Sequence, residues 1–257
     1  MSTVEKAISL LNFFTEDAPE WGLSELARQA RFDKATTRRL LVALANSGLI
    51  EQHTVTRRYQ LGAGLLRLAR VRESHFPLLQ VAVPVLRDVA AATDETVHLS
   101  EFGGRGLVTL HVEESTKANR VSVAVGQTLP LHATASGIAF LAFSPPQLAK
   151  SYLRKSLTAF TRHTLVQPAR LDDAIKAAAE HGYSRGDQGF EDGVFSIAAP
   201  ILGLDGYALG SIAIAMPQSR NTKATTDRHI QAVRGAAQAI STRLFGEQPT
   251  PRQARVA

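Results

Sequence analysis

The chain has 257 residues, 44% of them hydrophobic, a net charge of +6 and no cysteine. That length suits two domains with ordinary cores, and the missing cysteines exclude disulfides, thiolate metal sites, a catalytic thiol and cysteine-based redox sensing. No run approaches the ~18 apolar residues of a membrane span, and the N-terminal segment shows helical periodicity in place of a basic-then-apolar export signal, so a cytoplasmic protein with no membrane partner is expected.

The charge is unevenly placed. Between residues 28 and 72 there are ten basic residues against Asp33 and Glu51, a concentration that suits a polyanion partner. From the N-terminus, Ser2 and Glu5 fit a capping box, and Val4, Ala7, Ile8, Leu11 and Phe14 form a stripe that predicts a helix running to about Glu16. After the loop "DAPEWG", Leu23 and Ser24 supply a staple and an N-cap for a short helix with Leu26, Ala27 and Ala30 inward. Arg31-Phe32-Asp33 then forms a tight turn without glycine. In "KATTRRLLVALANSG", Thr37, Leu40, Leu41 and Leu44 fall at i, i+3, i+4 and i+7, while Lys34, Thr36, Arg38 and Arg39 project elsewhere, and Gly48 ends the helix. The stretch "LIEQHTVTRRYQLG" reads as two strands with Ile50, Tyr59 and Leu61 inward and a tip presenting Arg57 and Arg58.

Three helices and a basic hairpin over residues 1–62 make a winged helix-turn-helix. The second helix of such a motif enters the DNA major groove and the wing touches the backbone beside it. Lys34 and Thr36 stand at the helix N-terminus, where side chains and free amides meet phosphates or base edges. One of Arg38 and Arg39 is expected to read a base and the other to hold phosphate, with Arg57 and Arg58 on the backbone.

Residues 63–76 read as a linker helix, with Leu65, Leu66, Leu68 and Ala69 interleaved with Arg67, Arg70 and Arg72 and a stop before Pro77. A further helix over 78–92 carries Pro84, which predicts a kink or break. The second domain, 77–246, gives an α+β pattern. Strands are predicted at "TVHLSEF", "GLVTLHVEE", "RVSVAV", "GVFSIAAPIL" and "LGSIAIAM", with turns at "GGRG" and "LDGY". Helices are predicted over 136–143, 146–156 and 170–181, the last stopped by Gly182, and from Asp227 with Ile230, Val233, Ala237, Ile240 and Leu244 on one face. A curved antiparallel sheet covered by helices fits that order, and residues 247–257 read as a disordered tail.

Enzymatic signals are weak. "ASGIA" around Ser136 lacks the G-x-S-x-G pattern, and no catalytic residue is assigned. His98, His111 and His132 show no HxxxH or HxH spacing, so they read as hydrogen-bonded structural residues and no metal or other cofactor is assigned. The competing class is a GAF-like enzyme with an accessory helical domain, which would turn over a small molecule without DNA.

The segments "ISLLNFF", "GLSELARQARFDKATTRRLLVALANSGLIEQ", "RRYQLG", "ETVHL", "GQTLPLHATASGIAFLAF" and "GFEDGVFSIAAPI", in this order, resemble the IclR family of bacterial transcription regulators. The resemblance implies a winged helix-turn-helix, a linker helix and a C-terminal GAF-like domain that binds a small effector. It also implies a homodimer or tetramer on an imperfect palindrome in double-stranded DNA. The family's effector pocket maps onto Ala135 and Ser136 in "LHATASG", whose amides would hold a carboxylate, and onto Asp187, Ser196, Ala213, Ala215 and His132. Gly186 stands at an often acidic position, Ser196 where cysteine is frequent, and Ala213 and Ala215 where some relatives carry small polar residues. Having lost polar groups, the pocket suits a carboxylate-headed ligand with an apolar body, an aromatic acid in first place and a short oxo-acid as the alternative, in a regulator of a catabolic operon.

Overall fold

The computed structural model describes residues 1–246 and 251–252. The expected tail lies outside the described residues except for Pro251 and Arg252, and the Arg252 amide donates to the Gly206 carbonyl at 2.9 Å. The chain forms two compact units, Met1–Pro77 and a second beginning at Leu78.

In the first unit, α1 (Thr3–Leu11) opens on the Ser2/Glu5 capping box and stops well before Glu16. The Trp21 indole donates to the Phe13 carbonyl at 2.8 Å, which holds the chain in a turn after Asn12. The buried face therefore passes through Leu10 and Phe14, while Val4 and Ile8 of the expected stripe are 71% and 49% exposed. α2 (Leu23–Ala30) is capped by Gly22, whose amide donates to Glu25 at 3.1 Å; Ser24 lies inside the helix and caps nothing. Arg31 turns the chain at φ 56°, ψ 38°, a left-handed conformation that costs a non-glycine residue about 1 kcal/mol. α3 (Lys34–Asn46) buries Thr37, Leu40, Leu41 and Leu44 as the spacing predicts, and Gly48 follows at φ 71°. Complete burial of Leu26, Leu41 and Ile50 stabilises this small core by about 2 kcal/mol each.

β1 (Ile50–Gln52) and β2 (Tyr59–Leu61) pair antiparallel, with Ile50 opposite Leu61 and Gln52 opposite Tyr59. Leu61 is 44% exposed rather than inward, because the strand ends there and the chain turns away at Gly62. The Trp21 backbone exchanges two hydrogen bonds with Tyr59, so the hairpin is also tied to the loop before α2. α4 (Gly64–His75) has no buried residue.

The second unit starts with α5 (Leu78–Thr93), which continues through Pro84 without the predicted break. β3 (Thr96–Phe102), β4 (Leu107–Glu113), β5 (Thr128–Leu129), β6 (Ser184–Asp187), β7 (Val194–Leu202) and β8 (Ala208–Pro217) form one antiparallel sheet in the order β5-β4-β3-β8-β7-β6. Between β5 and β6 lie α6 (Ala135–Ala142), α7 (Pro146–Leu153) and α8 (Pro168–His181); α9 (Lys223–Phe245) ends the fold. β7 presents Ala198 to α6, in a cluster with Ala135, Ala139 and Ala213, and turns Ala199 toward α9. The sheet is thus covered on both faces. α9 begins four residues before Asp227 because Thr222 accepts the Thr225 amide at 3.2 Å.

Residues 120–125, expected as a strand, form none. Thr128–Leu129 takes the outer edge of β4, and the Val121 carbonyl instead accepts the Thr96 hydroxyl at 2.6 Å. That segment is fixed from a second side. Arg220 grips the buried Glu95 carboxylate through Nε at 2.7 Å and Nη2 at 2.6 Å while donating to the Asn119 carbonyl, and Lys117 joins Glu95 at 3.1 Å.

Candidate functional site

The basic face of α3 is built by its burial stripe. With Thr37, Leu40, Leu41 and Leu44 held in the core, Lys34, Arg38 and Arg39 are exposed, and they border one open hollow of about 570 Å³ with Leu23, Ala35 and Val42. Guanidinium forks match guanine edges, and the neighbouring Ala35 and Val42 give an apolar surface of the kind that meets thymine methyl groups. Thr36 differs from its sequence reading: its side chain is half-buried and its amide donates to the Asp33 carboxylate at 2.7 Å, so that amide is already used. The Thr36 contact also holds the Asp33 carboxyl below the usual range.

The two wing arginines separate. Arg57 sits at φ 59° on the exposed hairpin, whereas Arg58 folds back to Glu25 at 2.9 Å and to the Glu20 carbonyl at 3.1 Å. The Gly22 amide, then Arg58, lower the Glu25 carboxyl.

In the second unit a cavity of about 70 Å³ lies where the N-terminus of α6 meets the sheet. Its polar side comes from His98, Ser122, Gln127, Thr134, Ser136 and Ser196, with the Glu191 carboxylate also on the lining. Val121, Leu129, Ala133, Phe190, Val194 and Ala215 make an apolar wall. Thr134 caps α6 by accepting the Gly137 amide at 3.0 Å. The amides of Ala135 and Ser136, first and second in the helix, have no carbonyl one turn earlier to reach, which makes them available to an anion. His98 Nε2 lies 3.2 Å from Ser136 Oγ, and burial pushes the imidazole down to about 4, so it is neutral near pH 7. A side chain at Gly186 would collide with this arrangement: a Cβ there would stand 2.8 Å from Ser196 Oγ and 2.9 Å from the Ala135 nitrogen.

Ala135, Ser136, Ser196 and Ala215 thus come together as the sequence suggested, and three others do not. Asp187 is exposed and borders a different hollow, because on β6 it is Gly186 that stands over Ser196 and Ala135. His132 borders that same hollow, with Nδ1 3.0 Å from the Tyr152 hydroxyl and Nε2 2.9 Å from the Thr158 carbonyl. Ala213 packs beneath α6 with Ala135, Ala139 and Ala198 and does not line the cavity. His98, Gln127, Phe190 and the bare Gly186 backbone are cavity components that sequence reasoning did not assign; strand alternation in "TVHLSEF" was the signal that could have brought in His98. Among the described residues no three His, Asp or Glu side chains are placed to hold a metal ion.

Residues 3–54 match the family model for the IclR helix-turn-helix domain, and residues 72–242 match that for the bacterial transcriptional regulator IclR C-terminal domain. The chain belongs to the IclR family. Similar IclR-family proteins include the Escherichia coli transcriptional repressor IclR, 29% identical with 86% of this chain and 82% of that protein covered. The Paracoccus denitrificans regulator BhcR is 31% identical, over 88% of this chain and 81% of its own. A crystal structure of an IclR-type regulator from Silicibacter sp. TM1040 superimposes with a TM-score of 0.88 at 38% identity, covering 96% and 98% of the two chains. An IclR homologue from Microbacterium hydrocarbonoxydans, crystallised with 4-hydroxybenzoate, shares the fold with a TM-score of 0.80 at 24% identity, over 96% and 100%. As an IclR-family member the protein is a ligand-responsive, DNA-binding regulator of transcription, and the IclR relatives are regulators rather than enzymes, which displaces the enzyme alternative. No single helix among the described residues is long and apolar enough to cross a membrane.

Proposed function

We propose that this regulator works in the cytoplasm, senses a small carboxylic acid in the α6 cavity and controls a catabolic operon through an imperfect palindrome in double-stranded DNA. The observation that carries the ligand class is the junction of two open helix amides, Ala135 and Ser136, with an apolar wall of Val121, Leu129, Phe190, Val194 and Ala215. A carboxylate accepts from the amides and from Ser136 or Ser196, and a hydrocarbon body covers the wall. That division favours an acid with an aromatic or aliphatic body over a fully polar oxo-acid.

Size supports the second reading. The cavity of about 70 Å³ is smaller than the ~150 Å³ that holds a benzene ring, so a two- or three-carbon acid fits directly, whereas a monocyclic acid needs the cavity to widen. Calorimetric titration with benzoate, 4-hydroxybenzoate, pyruvate and glyoxylate tests the choice. Tighter binding of the aromatic acids, weakened by Ser196→Ala, is expected; tighter binding of pyruvate or glyoxylate selects the second reading, and binding of none of the four rejects the site.

For assembly, Val4 and Ile8 of α1 and Leu66, Leu68 and Val71 of α4 are exposed apolar side chains on the first unit. A homodimer or tetramer that covers them would place two recognition helices on half-sites about one helical turn apart, or a multiple of it.

A further inference from the structure

The hollow that receives His132 and Asp187 is a groove of about 320 Å³ on the second unit, and its charge is one-sided. Arg162, Arg170 and Arg185 all line it, with His163 beside them, against the single carboxylate of Asp187. Among the described residues none of the three arginines forms an ion pair with a carboxylate. Arg162 Nε donates to the neighbouring His163 ring at 3.0 Å, and one Arg185 nitrogen donates to the Tyr183 hydroxyl at 3.1 Å while its guanidinium stacks on that ring. These contacts orient two guanidinium groups without neutralising either.

Arg170 adds an independent sign. It lies in the first turn of α8, where the positive end of the helix dipole disfavours a cation, and Gln167 caps that helix with no side-chain hydrogen bond. A cation in that place, with two others facing the same groove against Asp187 alone, is disfavoured, and a further negative group among them would offset that cost.

We propose that this groove is a second ligand site, which takes the phosphate group of a small phosphorylated metabolite. Forks arriving from three separate elements, the 161–165 segment, α8 and β6, suit a tetrahedral group with several equivalent oxygens better than a flat carboxylate, which one arginine saturates. The groove has its own polar lining and is distinct from the α6 cavity, though Ala133, Gly186 and Gly189 border both.

Calorimetric titration of the full chain with inorganic pyrophosphate, citrate and acetate, at low and moderate salt, tests it. Pyrophosphate is expected to bind at one site per chain, and Arg170→Ala and Arg185→Ala are each expected to weaken it about tenfold. Both arginines are exposed, so neither variant should lower the melting temperature, and without ligand Arg170→Ala should raise it slightly. Non-saturating heats for pyrophosphate, equal affinity in the variants, or citrate bound more tightly than pyrophosphate would overturn the assignment. Failure here leaves the benzoate and pyruvate titrations untouched, since those report on Ser196.

Discussion

The Arg58 guanidinium donates to the Glu25 carboxylate at 2.9 Å, and the same carboxylate accepts the Gly22 amide at 3.1 Å, so one acidic side chain fastens the wing to the start of α2. Arg58→Ala is expected to lower the melting temperature modestly, since the pair is partly exposed and screened by salt. Arg57→Ala should leave the melting temperature alone and reduce the salt slope of DNA binding by about one unit. Melting curves and binding isotherms at several salt concentrations separate the two; matching slopes for both variants would show that Arg58 grips phosphate after all.

Base reading is the role proposed for α3. At least one of Arg38→Ala and Arg39→Ala is expected to cost about 1–3 kcal/mol on the operator and far less on random DNA, whereas Lys34→Ala should weaken both alike. Mobility shifts with the two DNAs measure this. Equal losses on operator and random sequence for both arginine variants would remove α3 from sequence recognition.

Gly186 makes the strictest test of the α6 cavity. Gly186→Ala pushes a methyl group toward Ser196 Oγ and the Ala135 nitrogen, and it should abolish acid binding while the operator is bound at wild-type affinity. Ala215→Val narrows the same cavity from β8 and guards against a merely misfolded first variant. Wild-type acid affinity in both would place the ligand elsewhere.

Acid sensitivity follows from His98. Its folded value of about 4 lies below the ordinary 6.5, so between those values the unfolded chain takes up a proton that the folded chain refuses. Stability is therefore full above about pH 6.5 and falls as pH drops toward 4, by up to about 3 kcal/mol. His229, lowered mainly by burial, acts in the same direction. Denaturant midpoints for wild type and His98→Gln between pH 4.5 and 7.5 should diverge, with a flatter dependence in the variant; parallel curves would mean that His98 is not held neutral.

Long-period features were legible in the residues. The α3 stripe, the Gly48 and Gly182 stops and the runs of β3, β7 and β8 each follow from a local repeat that tertiary contacts reinforce. Failures came where two local patterns compete for one partner. Val121, Val123 and Val125 alternate like a strand, yet it is β5 that pairs with Leu107 and Val108 of β4, the Val121 carbonyl is taken by the Thr96 hydroxyl, and Val125 is 54% exposed. In α1, Val4 and Ile8 satisfy the helical period as well as Leu10 does, and only the placement of Phe14 and Trp21 decides which face turns inward. The α6 cavity was half legible: Ala135, Ser136, Ser196 and Ala215 came from the family resemblance, but Asp187 was assigned without regard to strand alternation, and nothing local shows that Gly186 contributes by lacking a side chain.

Leu129 belongs to β5 and Gly186 to β6, the two outermost of the six strands, and both border the α6 cavity. A sheet with two free margins bends more easily than a closed barrel, whose margins are stitched to each other by main-chain hydrogen bonds. A molecule lodged in the proposed cavity would lie between both margins and serve as the missing stitch. The span of that molecule would then set how tightly the six strands curl, and the signal expected from the second unit is a change of curvature shared by every strand, rather than the movement of one side chain.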